Sequence, residues 1–216
     1  MALYKWQTIA SANNVKTTFV ASYYCMRYFL LSLLITGSLT AFTQFRVNVQ
    51  WSQYVPAANS DTIYYNGNQN LSWPDFKAMP VNAFGAVALT SSGFGYTADI
   101  QYENGRTDIV IEVYCYFSKQ NSWVIPGLES DYALNHEQRH FDITYIAANL
   151  FIKKLNAAKF TEANYTTLLD DIYKESRSDF AKLQNDYDSE TRNGQLKNIQ
   201  EEWDNRIVRQ LLSFKQ

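Results

Sequence analysis

Cysteine is scarce in this chain, since Cys25 and Cys115 are the only two among 216 residues. Cys25 precedes the segment that we interpret below as a signal peptide. One cysteine would remain after cleavage, and a disulfide framework is therefore excluded. Cys115 lies in a run of alternating apolar residues, which predicts a buried structural thiol rather than a nucleophile. No cysteine follows the apolar segment near the N-terminus, so a lipoprotein anchor is not indicated.

An excess of positive charge is also lacking. The formal net charge is −2, and the first 43 residues carry Lys5, Lys16 and Arg27 but no acid, so removal of that segment would leave about −5. A nucleic-acid partner needs a basic surface, and we therefore expect none. Internal repeats and low-complexity tracts are absent from the sequence as well, which favours one ordinary folded domain.

The apolar run near the N-terminus is too short for a confident membrane span. It follows Met26-Arg27-Tyr28 and ends among small residues. This pattern is typical of a signal peptide, so we interpret residues 26–43 as one, with cleavage before Gln44 or, alternatively, after Ala41. Residues 1–25 would then be an upstream extension or a misassigned start. An uncleaved segment that anchors the protein is the competing interpretation, whereas cleavage predicts an exported protein with no stable membrane span.

Residues 44–125 show mostly period-two hydrophobicity, which predicts an antiparallel β-sheet. The clearest hairpin turns at Asn104-Gly105, a pair favoured in two-residue turns. Pro126-Gly127 then ends the strand pattern, and residues 128–214 have helical periodicity. We therefore predict a single α+β domain over residues 44–216, in which an N-terminal antiparallel sheet is followed by three C-terminal helices.

Both histidines of the chain belong to one motif, His136-Glu137-Gln138-Arg139-His140, on the first of these helices. Residues four apart on a helix lie about 40° from each other around the axis, so both imidazoles can reach one metal ion. This H-E-x-x-H spacing is typical of zinc sites in metalloproteases, in which the glutamate is the general base. Two surface histidines without a metal are the alternative. Ile143 shares the histidines' face, however, and predicts that the pair points toward a packed interior.

Beyond the motif, the chain resembles the bacterial family named domain of unknown function 922, described as secreted zinc-dependent proteases. The matching segments are Leu71-x-Trp73-x-x-Phe76, Ser122-Trp123-Val124, residues 136–143 and Tyr187-Asp188-Ser189-Glu190-Thr191, with Gln200 and Trp203 at the family's spacing. The resemblance covers most of the region after the predicted cleavage. It implies a zincin-like domain that binds Zn²⁺, cleaves a peptide or protein substrate, and is secreted or periplasmic. It also implies that the segment around Thr191 approaches the metal.

The third metal ligand is where the sequence departs from that family, because Asn193 stands where the family pattern has a histidine. A catalytic zinc usually has three protein ligands and a water, so another donor should replace the missing imidazole. Glu190 is the first choice, with Asp188, Glu162 and Asn193 as alternatives. Each acid can equally be an ordinary exposed helix residue. Two other functions therefore stay open, a catalytically inactive family member and an exported binding protein.

Three residues close to these segments have other predicted roles. Asp142 lies two residues beyond His140 and points roughly 200° away from it, so we predict that it is no ligand and orients a neighbouring segment instead. Tyr187 or Arg192 could stabilise an oxyanion by virtue of position. A packed tyrosine and a surface arginine are the simpler interpretations.

Overall fold

The computed structural model of the protein describes residues 44–53, 60–65, 67, 69–81 and 85–214. Residues 44–216 form one compact unit. The predicted upstream extension and signal peptide, residues 1–43, lie outside the described residues. Within the described part of the chain, no helix combines the length and apolar character that a membrane crossing requires.

The described residues form six β-strands followed by three α-helices, which confirms the predicted α+β arrangement. The strands are β1 (Gln44–Trp51), β2 (Thr62–Tyr64), β3 (Ala88–Leu89), β4 (Ser92–Glu103), β5 (Arg106–Ser118) and β6 (Trp123–Val124). The helices are α1 (Asp131–Ala157), α2 (Tyr165–Thr191) and α3 (Lys197–Ser213).

β5 is the central strand of the larger sheet. It pairs antiparallel with β4 along nearly its whole length and with β2 near its C-terminal end. β1 is the exception to the predicted antiparallel pairing, because it runs parallel to β5 with Val47 opposite Ile109. Parallel pairing needs a long connection, and the chain between β1 and β5 supplies one. β3 and β6 form a separate two-stranded sheet.

The hairpin between β4 and β5 turns at Asn104-Gly105, as predicted. Glu103 pairs with Arg106, so two residues form the loop. Asn104 has φ 52° and Gly105 has φ 73°, and positive φ at both central residues is the type I′ geometry that asparagine and glycine favour. Local turn chemistry therefore fixes the register of the two longest strands.

The core lies between one face of the sheet and α1. Alternate side chains of β5 are buried on this face, namely Ile109, Ile111, Val113, Cys115 and Phe117. α1 contributes Phe141 and Phe151, both fully buried. Burial also raises the pKa of the Cys115 thiol well above its usual range, so this cysteine is a structural thiol, as predicted.

The three helices pack so that their ends meet near the start of α1. α1 and α2 are antiparallel, since contacts join His136 to Asp188 at one end and Lys154 to Glu175 toward the other. α3 covers the first two helices through a second buried cluster of Ile143, Ile146, Tyr187, Trp203 and Ile207. The N-terminal third of α1 therefore faces the C-terminal end of α2.

Candidate metal centre

His136 and His140 lie one helical turn apart near the start of α1, and both rings face α2. His136 is 6% exposed, and the Nε2 atoms of the two rings are 3.2 Å apart. The predicted packed surroundings are confirmed, because Ile143 on the same helix is fully buried against α3. The helical period thus brings two imidazole nitrogens to one point at the edge of the core.

Asp188 on α2 supplies the third donor atom at this point. Its Oδ1 atom lies 3.2 Å from Nε2 of His136 and 3.0 Å from Nε2 of His140. Burial by itself raises the pKa of the Asp188 carboxyl, but the hydrogen bonds to both histidines outweigh burial and hold that pKa well below its usual range. Asp188 is therefore a carboxylate aimed at two imidazoles.

Glu190, the first choice from the sequence, is directed elsewhere. Its Oε2 atom accepts a hydrogen bond of 2.8 Å from Nε1 of Trp203 on α3. Glu190 lies two residues after Asp188, and two residues on a helix differ by roughly 200° around the axis, so only one of these acids can face α1. The structure brings Asp188, an alternative in the sequence-based prediction, to the histidines in its place.

The three donor atoms fit a zinc ion in both chemistry and spacing. Imidazole nitrogen and carboxylate oxygen are ordinary zinc ligands at about 2.0–2.2 Å, and tetrahedral geometry then places ligand atoms about 3.3 Å from each other. The three observed separations are 3.0 to 3.2 Å. Burial lowers the pKa of His140, but the hydrogen bond to Asp188 and the charges of Glu137 and Asp188 outweigh burial and raise it. The site therefore has a net attraction for a cation.

Glu137 lies beside this cluster and is 5% exposed. Its Oε2 atom is buried and has no hydrogen-bond partner among the described residues. A buried carboxylate oxygen without a partner is costly, because the group has lost its hydration without a replacement. Thr90 fixes the backbone at this point, since its Oγ1 donates a hydrogen bond of 3.1 Å to the Glu137 carbonyl. Glu137 thus lines the cavity with its backbone held by Thr90 and its Oε2 atom without a partner among the described residues.

A cavity of about 620 Å³ opens in front of the cluster. His136, Glu137, His140 and Asp188 line it together with apolar side chains that include Val87, Leu89, Leu128 and Phe180. Ligand pockets usually have this size and this combination of apolar walls with a few polar groups. The candidate metal centre is therefore reachable by a substrate.

Two other sequence-based candidates for the third ligand are less suitable than Asp188. Asn193 lines the cavity, but an amide oxygen is a poor zinc ligand beside imidazole and carboxylate. Glu162 is exposed in the turn between α1 and α2. The histidines lie near the start of α1 and this turn lies beyond its end, roughly 30 Å away at 1.5 Å per residue. Glu162 cannot reach the same ion.

Asp142 orients a neighbouring segment, as predicted. Its Oδ1 atom accepts hydrogen bonds from the Tyr65 hydroxyl at 3.0 Å and from Nε2 of Gln138 at 2.9 Å. Gln138 in turn accepts a hydrogen bond of 2.7 Å from the backbone N–H of Leu71. Gln138 and Asp142 therefore tie the segment after β2 to α1. Arg139 adds an ion pair of 2.7 Å to Asp142.

Tyr187 is a packed tyrosine. It is fully buried, its ring stacks on His136 with 4.7 Å between ring centroids, and its hydroxyl accepts a hydrogen bond from Gln200. Burial is the main reason why the pKa of Tyr187 is raised. Arg192 is exposed at the end of α2. Neither side chain belongs to the cavity wall.

Sequence reasoning missed the contacts of two glutamines with the histidines. Gln184 lies against His140, and Gln200 lies against His136. Gln184 precedes Asp188 by one helical turn, so the i, i+4 relation would have pointed to it once Asp188 was chosen. Gln200 lies on a different helix from both His136 and Asp188, and no local spacing predicts its contact.

Comparison of the chain with models of protein families, with curated proteins and with solved structures found no match. The resemblance to the domain of unknown function 922 family therefore stays a prediction. The functional argument starts from the side chains of the metal centre.

Proposed function

We propose that this protein is an exported zinc-dependent metallopeptidase. The observation that carries the proposal is the convergence of His136, His140 and Asp188 beside Glu137, whose buried Oε2 atom has no hydrogen-bond partner among the described residues. Structural zinc sites usually have four protein ligands, whereas catalytic sites have three and leave one position for water or substrate. Three side chains form the group among the described residues, and the group lines a cavity. Donor number and access thus both favour a catalytic site.

Each residue has a definite role in such a reaction. His136, His140 and Asp188 would hold the zinc ion, which supplies a Lewis acid and lowers the pKa of a water toward neutrality. Glu137 takes the proton of the attacking water and later delivers it to the amine that leaves. Its buried position keeps the carboxylate out of bulk water. The product is a hydrolysed amide bond.

The apolar walls of the cavity support this chemistry. Val87, Leu89 and Phe180 line it beside the charged groups. A substrate that fills the cavity displaces water, which strengthens the interaction of charged groups with the developing oxyanion. The proposal of a peptide or protein substrate also draws on the family resemblance and on the usual chemistry of H-E-x-x-H sites.

An inactive family member is the alternative that the missing family histidine at Asn193 suggested. That alternative depends on a site with too few ligands. Asp188 offers a third donor from the same C-terminal region of the chain, so the argument for inactivity loses its main premise. The remaining distinction between an enzyme and a zinc-binding protein is experimental.

The first test combines metal content with hydrolysis. The full chain is purified, dialysed against a zinc buffer, and measured by elemental mass spectrometry, with His136→Ala as control. We expect one zinc per chain in the wild type and little in the control. A mixture of unstructured peptides then reports hydrolysis by mass spectrometry.

Glu137→Gln separates catalysis from metal binding. General bases contribute about 10²–10⁴-fold to rate, so we expect this variant to retain zinc and lose at least about 100-fold in kcat. Glu190→Gln is the matched control, because it makes the same chemical change at an acid that contacts Trp203, and we expect its kcat to be unchanged. Full activity in Glu137→Gln would refute the mechanism. A wild type that binds no zinc would refute the proposed function altogether.

A further inference from the structure

The ring nitrogens of the two histidines that face away from Asp188 each contact a glutamine oxygen. Nδ1 of His140 lies 2.6 Å from Oε1 of Gln184. Nδ1 of His136 lies 2.9 Å from Oε1 of Gln200. An amide oxygen only accepts hydrogen bonds, so each contact requires the histidine to carry its hydrogen on Nδ1.

The orientation of the Gln184 amide is fixed by its other contacts. Its Nε2 atom donates to the carbonyl oxygen of His140 at 3.0 Å and lies 3.3 Å from Oγ1 of Thr144. A carbonyl oxygen cannot donate, so a rotation that exchanged the amide oxygen and nitrogen would lose this bond. The oxygen of Gln184 therefore faces His140.

The same reasoning holds for Gln200, which is 1% exposed. Its Nε2 atom donates to Oδ1 of Asp204 at 3.0 Å and to the Tyr187 hydroxyl at 2.5 Å. A carboxylate accepts only, so the nitrogen of this amide must face Asp204 and its oxygen must face His136. Asp204 is itself held by Arg139 and by Asn135. Residues on all three helices thus determine one hydrogen position on His136.

We propose that Gln184 and Gln200 are positioning residues that hold His140 and His136 in the tautomer with hydrogen on Nδ1 and so present both Nε2 lone pairs to the metal. Neutral imidazole carries one ring hydrogen, which leaves Nε2 as the acceptor nitrogen in each ring. Residues that bind the second nitrogen of a metal-binding histidine fix its tautomer and its ring plane. The inference rests on the proposed function, because it takes the Nε2 atoms as the atoms that bind zinc.

Gln184 is the better position for the test because it is only partly buried. Gln184→Met keeps the length of the side chain but removes the acceptor, whereas Gln184→Glu restores an acceptor for the Nδ1 hydrogen. Loss of such a partner usually weakens metal affinity by about 10–100-fold. We expect that loss of zinc affinity in Gln184→Met, measured by competition with a chelator, and near wild-type affinity in Gln184→Glu. Equal zinc affinity in the wild type and Gln184→Met would overturn the proposal.

A second measurement needs no metal and no hydrolysis. In the zinc-free full chain with Asp188→Ala, the carboxylate that competes for the hydrogen at Nε2 of His140 is removed, and Nε2 of His136, 3.2 Å away, is the neighbour that remains. Imidazole ¹⁵N spectra at alkaline pH then report the tautomer of each neutral ring, and the chain has only two histidines to assign. We expect hydrogen on Nδ1 of His140, and its loss in the Asp188→Ala, Gln184→Met double variant. A simple packing role for Gln184 would leave the tautomer unchanged.

The outcomes separate this inference from the proposed function. Hydrogen on Nδ1 of His140 in the zinc-free chain, together with an absence of peptide hydrolysis in the wild type, would support the inference and refute the peptidase. Hydrogen on Nε2 in that same chain would overturn the inference even if the wild type bound zinc and cleaved peptides.

Discussion

The choice between Asp188 and Glu190 as third ligand yields the sharpest prediction. The two acids lie on α2 only two residues apart, and one contacts both histidines while the other contacts Trp203. Asp188→Asn and Glu190→Gln make the same change, from carboxylate to amide, on opposite sides of one helix. Asp188→Asn should abolish most zinc binding. Glu190→Gln should leave it intact, because the amide oxygen still accepts the hydrogen bond from Trp203.

The size of the effect follows from linkage. At a zinc concentration about 100 times Kd, binding adds about 2.7 kcal/mol to the free energy of unfolding. A domain of this size gains about 2–4 °C in Tm per kcal/mol, so zinc should raise the wild-type Tm by roughly 5–10 °C. Removal of a direct ligand should cost at least the 100-fold that outer-sphere partners can reach. At the same zinc concentration, zinc would then add at most about 0.4 kcal/mol to the free energy of unfolding of Asp188→Asn, which corresponds to a rise in Tm of about 1 °C.

The assay is thermal unfolding of the full chain with and without zinc, followed by circular dichroism. The quantity compared is the rise in Tm caused by zinc, so a change in the baseline stability of either variant does not affect the conclusion. A zinc-induced rise in Asp188→Asn equal to that of the wild type would refute the assignment of Asp188. Loss of the rise in Glu190→Gln would restore the sequence-based choice of Glu190.

Three further predictions concern the surroundings of the site. Gly194→Ala should lower the free energy of unfolding, measured in urea, by about 1–2 kcal/mol. Gly194 has φ 78°, and a Cβ there would lie 3.2 Å from Nδ1 of His136. Asp142→Ala should lower the free energy of unfolding by about 1–3 kcal/mol, because the Tyr65 hydroxyl and the Gln138 amide lose their buried acceptor. Arg139 keeps its ion pair with Asp204, and the zinc-induced rise in Tm should persist. The zinc-induced rise should shrink as pH falls from about 8 to 5, because protons compete for the ligands. Burial lowers the pKa of His140, but the hydrogen bond to Asp188 outweighs burial and raises it, so this competition begins above the ordinary histidine range. A zinc-induced rise in Tm that stays constant across that pH interval would argue against histidine ligation.

The sequence by itself determined the features that depend on local geometry. The Asn104-Gly105 turn was predictable because few residue pairs adopt positive φ twice in succession, and this turn sets the pairing of β4 with β5. His136 and His140 were predictable as a pair because the helical period alone places them on one face. The buried position of Cys115 followed from alternation along a strand. In each case the relevant residues lie within a few positions of one another.

Only the tertiary structure decided the features that depend on how distant elements meet. Asp188 and Glu190 are equally plausible on an isolated α2, and the rotation of that helix against α1 and α3 selects Asp188. The packing of Tyr187 and Trp203 sets this rotation, through contacts between residues far apart in the chain. The parallel direction of β1 is likewise a long-range choice, which hydrophobic alternation cannot indicate because parallel and antiparallel strands alternate alike. The spacing of a motif therefore fixed two members of the candidate metal-binding group, and the packing of helices supplied the third.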